Sequence, residues 1–318
     1  MAELHPGLHQ IEQILGPRYL FQYLLIGERS MLIDTGIATS PDESILPYFH
    51  EIEFDPVMLD YMLISHADVD HFGGNARMRR AAPKAVLACH RHDARWVGDR
   101  DRILDERYGW YQQYDMDYPP ETAAFLEGAM GEDVRIDLHL SGDEVFILGD
   151  NRPVRLLHLP GHSDGHIGFY DEAHKAVIVI DAVLWKGLLD MEDVIISPPP
   201  YSLIQPYLDT IDVVLALDFE HMYTGHYVNK SGTAARQFLQ ESKAFVARCH
   251  AATEESLKET GCPLKLAAVH AAVDQKVGPF TAFAVELAKP VYAHLEQLVA
   301  EGRAIRDEDG RQPTWQMS

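Results

Sequence analysis

Residues 65–74 read SHADVDHFGG: two histidines and two aspartates within six positions, then a turn on two glycines. The run before them, MLDYMLIS at 58–65, is short and apolar, so the motif sits at the C-terminal mouth of a buried strand. So many ligand-type side chains exceed what a solvated loop requires. They raise two questions: whether a metal is held here, and why an aspartate stands at position 68.

Three further strand ends carry side chains of the same kind. HLPGHSDGH at 158–166 offers His162 and His166 after a Pro-Gly turn. VIVIDAVL at 177–184 closes a hydrophobic strand with Asp181, a carboxylate that a core strand would not tolerate unpaired. MYTGHY at 222–227 ends on His226, again after glycine. Neutral imidazoles and ionised carboxylates are what a divalent ion requires near neutral pH. Two ions a few ångströms apart also need a bridging anion, a task that suits Asp181 at the end of a stiff strand.

Working outward, YLFQYLLIGERSMLIDTG at 19–36 is two apolar runs around Gly27-Glu28-Arg29, a hairpin by composition. Further short strands are expected in KAVLACH, EVFILG, VRLLHLPG, AVIVIDAVLW and EHMYTGH, with helices at 45–53 and 207–216. Strands alternate with helices and then come in runs, which predicts a layered α/β sandwich. The expected division is 1–230 for the sandwich, with a helical insertion at about 91–132, and 231–318 for a mostly helical extension. In that extension Phe238, Ser242, Phe245 and Cys249 recur at helical spacing, as do Leu239 and Val246. Its end runs helix, Gly302, strand, DEDG turn, strand, in winged-helix outline but without a basic cluster for DNA.

At 318 residues the chain can bury a full core, and 47% apolar with 24% charged residues is ordinary globular composition. A net charge of −22 opposes nucleic acid and anionic lipid as partners. The start MAELHPGLHQIEQ, with neither a charged nor an apolar leader region, leads us to expect no signal peptide, and no apolar run approaches the ~18 residues of a membrane helix. Cys89, Cys249 and Cys262 lie far apart, which predicts reduced, buried thiols in a cytoplasmic protein, with Cys89 a packing residue. A homodimer is compatible with the packing surfaces expected of the extension.

In this order, SHADVDHFGG, PGHSDGH, DAVL and TGH resemble the metallo-β-lactamase fold superfamily over residues 19–226. The resemblance implies an αββα sandwich and a dinuclear centre. Carried over by position, His66, Asp68 and His162 hold one metal, Asp70, His71 and His226 the second, and Asp181 bridges. Asp34 is expected to anchor the ligand loops by accepting backbone hydrogen bonds, and His166 to support its loop. The family pattern has histidine where this chain has Asp68. That carboxylate makes the first site harder, admitting iron or manganese beside zinc as the pair of divalent ions.

By resemblance to the glyoxalase II and lactonase branches, the implied activity is hydrolysis of a small ester, thioester or lactone by a metal-bound hydroxide. Asp70 would orient that hydroxide as the catalytic residue. Three alternatives remain: a di-iron oxidoreductase of flavodiiron type, a phosphodiesterase or nuclease similar to competence-type DNA-uptake proteins, and a non-enzymatic metal-stabilised sensor. Within the insertion, Trp110, Tyr111, Tyr114 and Tyr118 serve either as pocket walls or as packing that holds the insertion down. His5, His9, His50, His90, His92 and His139 receive no functional role.

Overall fold

The computed structural model describes residues 1–149 and 152–318, and in it the strand alternation resolves into two sheets packed face to face. The first sheet takes seven strands in sequence order: β1 (Ala2–His5), β2 (Leu8–Leu15), β3 (Arg18–Ile26), β4 (Ser30–Ile33), β5 (Tyr61–Ile64), β6 (Val86–His90) and β7 (Leu138–Leu140). It is antiparallel from β1 to β4 and parallel from β4 to β7. The hairpin β1–β2 adds an edge that the reading of the N-terminal residues had not anticipated.

The second sheet draws on β8 (Val145–Ile147), β9 (Pro153–His158), β10 (Ile167–Asp171) and β11 (Ala176–Ile180). After the ribbon β12 (Leu188–Leu189) and β13 (Ile195–Ser197), it is completed by β14 (His221–Thr224) and β15 (Lys230–Ser231). Its order is β15-β14-β11-β10-β9-β8.

Alternation along single strands decides which face goes where. In β11, Ala176, Ile178 and Ile180 enter the layer between the sheets, while Val177 and Val179 face the helices Ile204–Ala216 and Gly232–Thr260. In β5, Leu63 points inward, and Met62 and Ile64 pack outward with Tyr48, Phe49 and Met78. Each such side chain contributes about 1.5–3 kcal/mol when fully buried, more than the ~1 kcal/mol net of one ladder hydrogen bond. Register is therefore set by burial. A slip of one residue in β11 would send its apolar set to the wrong face and move Asp181 away from the sheet edge.

The extension opens with the 29-residue helix Gly232–Thr260, which ends where Gly261 adopts a left-handed φ of 62°. Helices Leu266–Val277 and Ala288–Ala300 follow, with β16 (Leu264–Lys265), β17 (Ala304–Asp307) and β18 (Thr314–Met317) in the order β16-β18-β17. This helix–strand–helix–helix–strand–strand sequence is the winged-helix arrangement. One expectation fails: Cys89 and Cys249 are buried, but Cys262 is exposed just beyond the Gly261 stop. Among the described residues, no helix is long and apolar enough to cross a membrane.

Candidate metal centre

The parallel strands β4 and β5 and the co-directed β9, β11 and β14 deliver their C-terminal ends to one edge of the sandwich. All seven expected ligands meet there. Three groups have ligand atoms within 4.8 Å of one another: His66–Asp68–His162, Asp70–His71–His226, and His66–His71–Asp181. Asp181 stands between the two triads, and two backbone details aim it. The preceding Ile180 holds a φ of 49°, unusual for a β-branched residue and costing on the order of 1–3 kcal/mol. Gly225 lies so close that an added Cβ would collide with Asp181 Oδ1, which is why glycine precedes His226.

Each histidine is held by its Nδ1. His71 Nδ1 donates to Asp34 Oδ2 at 2.8 Å, His162 Nδ1 to the Pro200 carbonyl at 2.7 Å, and His226 Nδ1 to the Tyr19 carbonyl at 2.8 Å. Ser65 Oγ gives its proton to Asp34 Oδ2 and accepts from His66 Nδ1 at 2.9 Å. This network assigns the ring protons to Nδ1 and turns four Nε2 lone pairs toward the centre. There they face carboxylate oxygens: His162 Nε2 lies 2.8 Å from Asp68 Oδ2, and His226 Nε2 lies 3.0 Å from Asp181 Oδ2. His66 Nε2, His71 Nε2 and Asp181 Oδ1 are buried with no hydrogen-bond partner. Lone pairs opposed in this way require positive charge between them, and the donor set fits divalent ions.

Asp34 thus does more than the sequence suggested. It accepts from the Ser65 N–H at 2.7 Å, as expected, and also fixes the His71 ring. His166 braces other segments instead of its own loop: its Nε2 accepts from the Asp181 N–H at 3.3 Å, and its ring stacks on His66 at 4.6 Å.

The electrostatics divide the histidines. Burial, then the neighbouring His71, push His66 below its ordinary value. His71 moves the other way: burial opposes its charge, but Asp181, Asp34 and Asp70 together hold it well above. Burial would raise all three carboxylates, yet Arg107 beside Asp68, His71 and Arg18 beside Asp70, and His226 and His71 beside Asp181 hold them below the usual carboxylate range.

Two arginines escaped the sequence reading. Arg107 Nε donates to Asp68 Oδ1 at 2.7 Å, with the Tyr108 hydroxyl 3.3 Å from the same oxygen, so only Oδ2 of Asp68 faces the histidines. A histidine at position 68 could not receive Arg107 in this way. Arg18 Nη2 donates to Asp70 Oδ2 at 2.8 Å. Both arginines stand far in sequence from the carboxylates they meet, with no local motif to mark them.

A cavity of about 40 Å³ at the centre is lined by Asp68, Asp70, His162, Asp181, His226 and Arg18, and by Tyr108, Phe125, Leu126, Phe283 and Glu286. The insertion therefore does reach the site, but through Tyr108, Phe125 and Leu126. Trp110 and Tyr114 instead pack on Tyr292, and Tyr118 packs on Phe283 and donates to Glu286 Oε1 at 2.9 Å. With Tyr111, which stacks edge-on against Tyr118, they bind insertion to extension. The extension's own contribution, Phe283 and Glu286, carried no signal in the sequence. Phe125, Phe283 and Arg18 also border an adjoining groove of about 220 Å³, whose other walls include Leu15, Pro17 and Ile196.

Comparison with known proteins shows the family and the fold. The model of the metallo-beta-lactamase superfamily matches residues 15–226. The chain is 27% identical over 173 residues to the acyl-coenzyme A thioesterase MBLAC2 of Gallus gallus, covering 51% of this chain and 54% of that protein. It is 25% identical over 167 residues to the hydroxyacylglutathione hydrolase of Pelagibacter ubique, covering 52% of each. The matched stretch spans about half the length of these two relatives. The crystal structure of a metallo-beta-lactamase family protein from Thermus thermophilus superposes with a TM-score of 0.76 at 21% identity, over 99% of this chain and 100% of that one. At that identity the likeness speaks for the fold.

Proposed function

Since this chain belongs to the metallo-beta-lactamase superfamily, we propose that it is a hydrolase that uses two divalent ions to cleave a small ester or thioester with an apolar acyl part. One observation carries the reading: four Nε2 lone pairs and three carboxylates converge on a single buried edge, unsatisfied by one another. In this reading His66, Asp68 and His162 hold one ion, Asp70, His71 and His226 the other, and Asp181 both. When bound, such ions make water nucleophilic near neutral pH and polarise a carbonyl oxygen.

The protein's own groups supply the rest. Arg18 donates to Oδ2 of Asp70 and fixes the carboxylate's orientation, which would aim its other oxygen at the attacking water. Phe125, Leu126 and Phe283 exclude bulk water from the reacting carbon, which strengthens every charge interaction there. Arg18 is the single arginine or lysine lining either the cavity or the groove among the described residues, and Asp70 already engages it. That favours an uncharged acyl part at the centre over a phosphodiester. The groove beside it suits an apolar chain, at about 0.8 kcal/mol per buried methylene. Both names among the relatives, an acyl-coenzyme A thioesterase and a hydroxyacylglutathione hydrolase, denote thioester hydrolases, in line with this reading.

The test is a panel of acyl esters and thioesters of increasing chain length, assayed on protein whose metal content has been measured. Turnover that disappears with chelator, returns with metal, and rises with acyl length is expected. Protein loaded with two ions that hydrolyses none of them would overturn the proposal.

A further inference from the structure

Among the described residues, one more group of ligand-type side chains converges, away from the centre. His90 ends β6, His92 follows two residues on, and His158 ends β9, and each has a nitrogen within 4.8 Å of the others. The rings are packed together: His90 and His158 stack at 4.4 Å and 11°, and His92 meets His90 edge-on at 4.7 Å.

The hydrogen bonds around these rings fix their tautomers. His90 Nε2 lies 3.1 Å from the Ser141 carbonyl, and His158 Nε2 lies 2.8 Å from the Asp164 carbonyl. A carbonyl only accepts, so both rings carry their proton on Nε2 and present an unprotonated Nδ1. Metal-binding imidazoles are held in this manner, one N–H on a backbone carbonyl and the other nitrogen left as donor. The His90 Nδ1 meets only the His92 backbone N–H, at a long 3.2 Å. Burial, then His158, push the His90 ring down to about 4, so it is neutral near physiological pH. His92 is exposed and can turn onto an ion without disturbing the core.

We propose that His90, His92 and His158 form a separate binding site for a borderline divalent transition ion such as zinc. Three imidazoles, each binding through one ring nitrogen, and a water complete a tetrahedral shell. No carboxylate belongs to the group, so hard ions such as magnesium and calcium, which require oxygen ligands, are excluded. The site ties the end of β6 to the end of β9. Just beyond His90, Asp93 accepts from the Ala67 N–H, the Ser163 hydroxyl and the Gly165 N–H, all in the loops that carry His66 and His162. An ion on the three histidines therefore stiffens the mounting of that half of the centre.

The test compares the full chain with a His92→Gln/His158→Gln variant, and with His139→Gln as a control, an exposed histidine outside the group. Each is stripped with chelator, dialysed against low free zinc and analysed for bound metal. The parent and the control should hold one zinc per chain more than the double variant. Because the readout is a difference, it holds whether the main centre takes one ion or two. Equal zinc in the parent and the double variant overturns the site, and so does an equal loss in the control. Zinc should also raise the melting temperature of the parent further than that of the double variant, and an identical shift counts against the proposal.

Discussion

Asp70, His71 and His226 are mounted on the sandwich itself: Arg18 and the Tyr19 carbonyl come from β3, and Asp34 follows β4. His66, Asp68 and His162 depend in part on segments outside the two sheets. Arg107 and Tyr108 of the insertion hold Asp68, and the Pro200 carbonyl beyond β13 holds His162. One half follows from folding the two sheets, whereas the other is adjusted by what has been built onto them. The departure from the family pattern, Asp68, falls in the adjusted half, where the insertion supplies a guanidinium to receive it.

The largest effect is expected at the residue shared by both halves. Asp181→Asn keeps the shape but removes the charge between the two proposed cations. At least one metal should be lost and the rate should fall more than about a hundredfold, by elemental analysis and steady-state kinetics. Full activity would make Asp181 a structural residue and remove the link between the halves.

Asp34→Asn loosens the sandwich half directly, at His71, and the other half only through Ser65 and His66. Second-layer partners of ligating histidines typically contribute about 10–100-fold to metal affinity. The ion of the His71 half should weaken by that factor and the ion of the His66 half by less, in competition against a chelator. Equal weakening of both would show that the halves are not independently mounted.

Protonation separates the halves further. In the metal-free chain His71 is held well above the ordinary histidine value, while His66 is pushed below it. The protonated His71, among Asp181, Asp34 and Asp70, stabilises the metal-free fold fully below about pH 6.5, and that contribution is lost as pH rises through the raised value. Metal must displace this proton, so uptake by the His71 half should release roughly one proton and tighten as pH rises. His66, pushed below its ordinary value, adds no such proton over the same range. Calorimetry in buffers of different ionisation enthalpy reads both, and uptake without proton release would contradict the assignment.

The smallest effect is expected from Asp68→His combined with Arg107→Met, which restores the common ligand type and removes the guanidinium left without its carboxylate. Carboxylate is harder than imidazole, so the parent should take a lower zinc fraction than the double variant from equimolar zinc, manganese and ferrous iron. Equal fractions would mean that Asp68 serves the Arg107 contact and not the choice of metal.

The ligand edge was legible because its residues come in short runs at strand ends, where apolar alternation, glycine and histidine stand side by side in the sequence. The partners of those ligands were not. Arg18 and Arg107 meet Asp70 and Asp68 only after the sheets close and the insertion folds over, and nothing local in GPRYL or DERYGW announces it. The aromatic run at 110–118 had two equal readings, and contacts with Tyr292 and Phe283 of the distant extension decided between them. His90 and His92 looked like ordinary histidines because their third member, His158, lies on another sheet.

Phe283 and Glu286, which close one side of the cavity, stand about 60 residues after His226, the last of the seven proposed ligands. Chains grow at roughly 5–20 residues per second, so the ribosome needs some 3–12 s to pass from one to the other. During that interval a nascent chain already has every proposed ligand but lacks one wall of the chamber. Until the extension is made and folds, the candidate ligand edge lacks the wall that Phe283 and Glu286 supply, so the cavity is completed last.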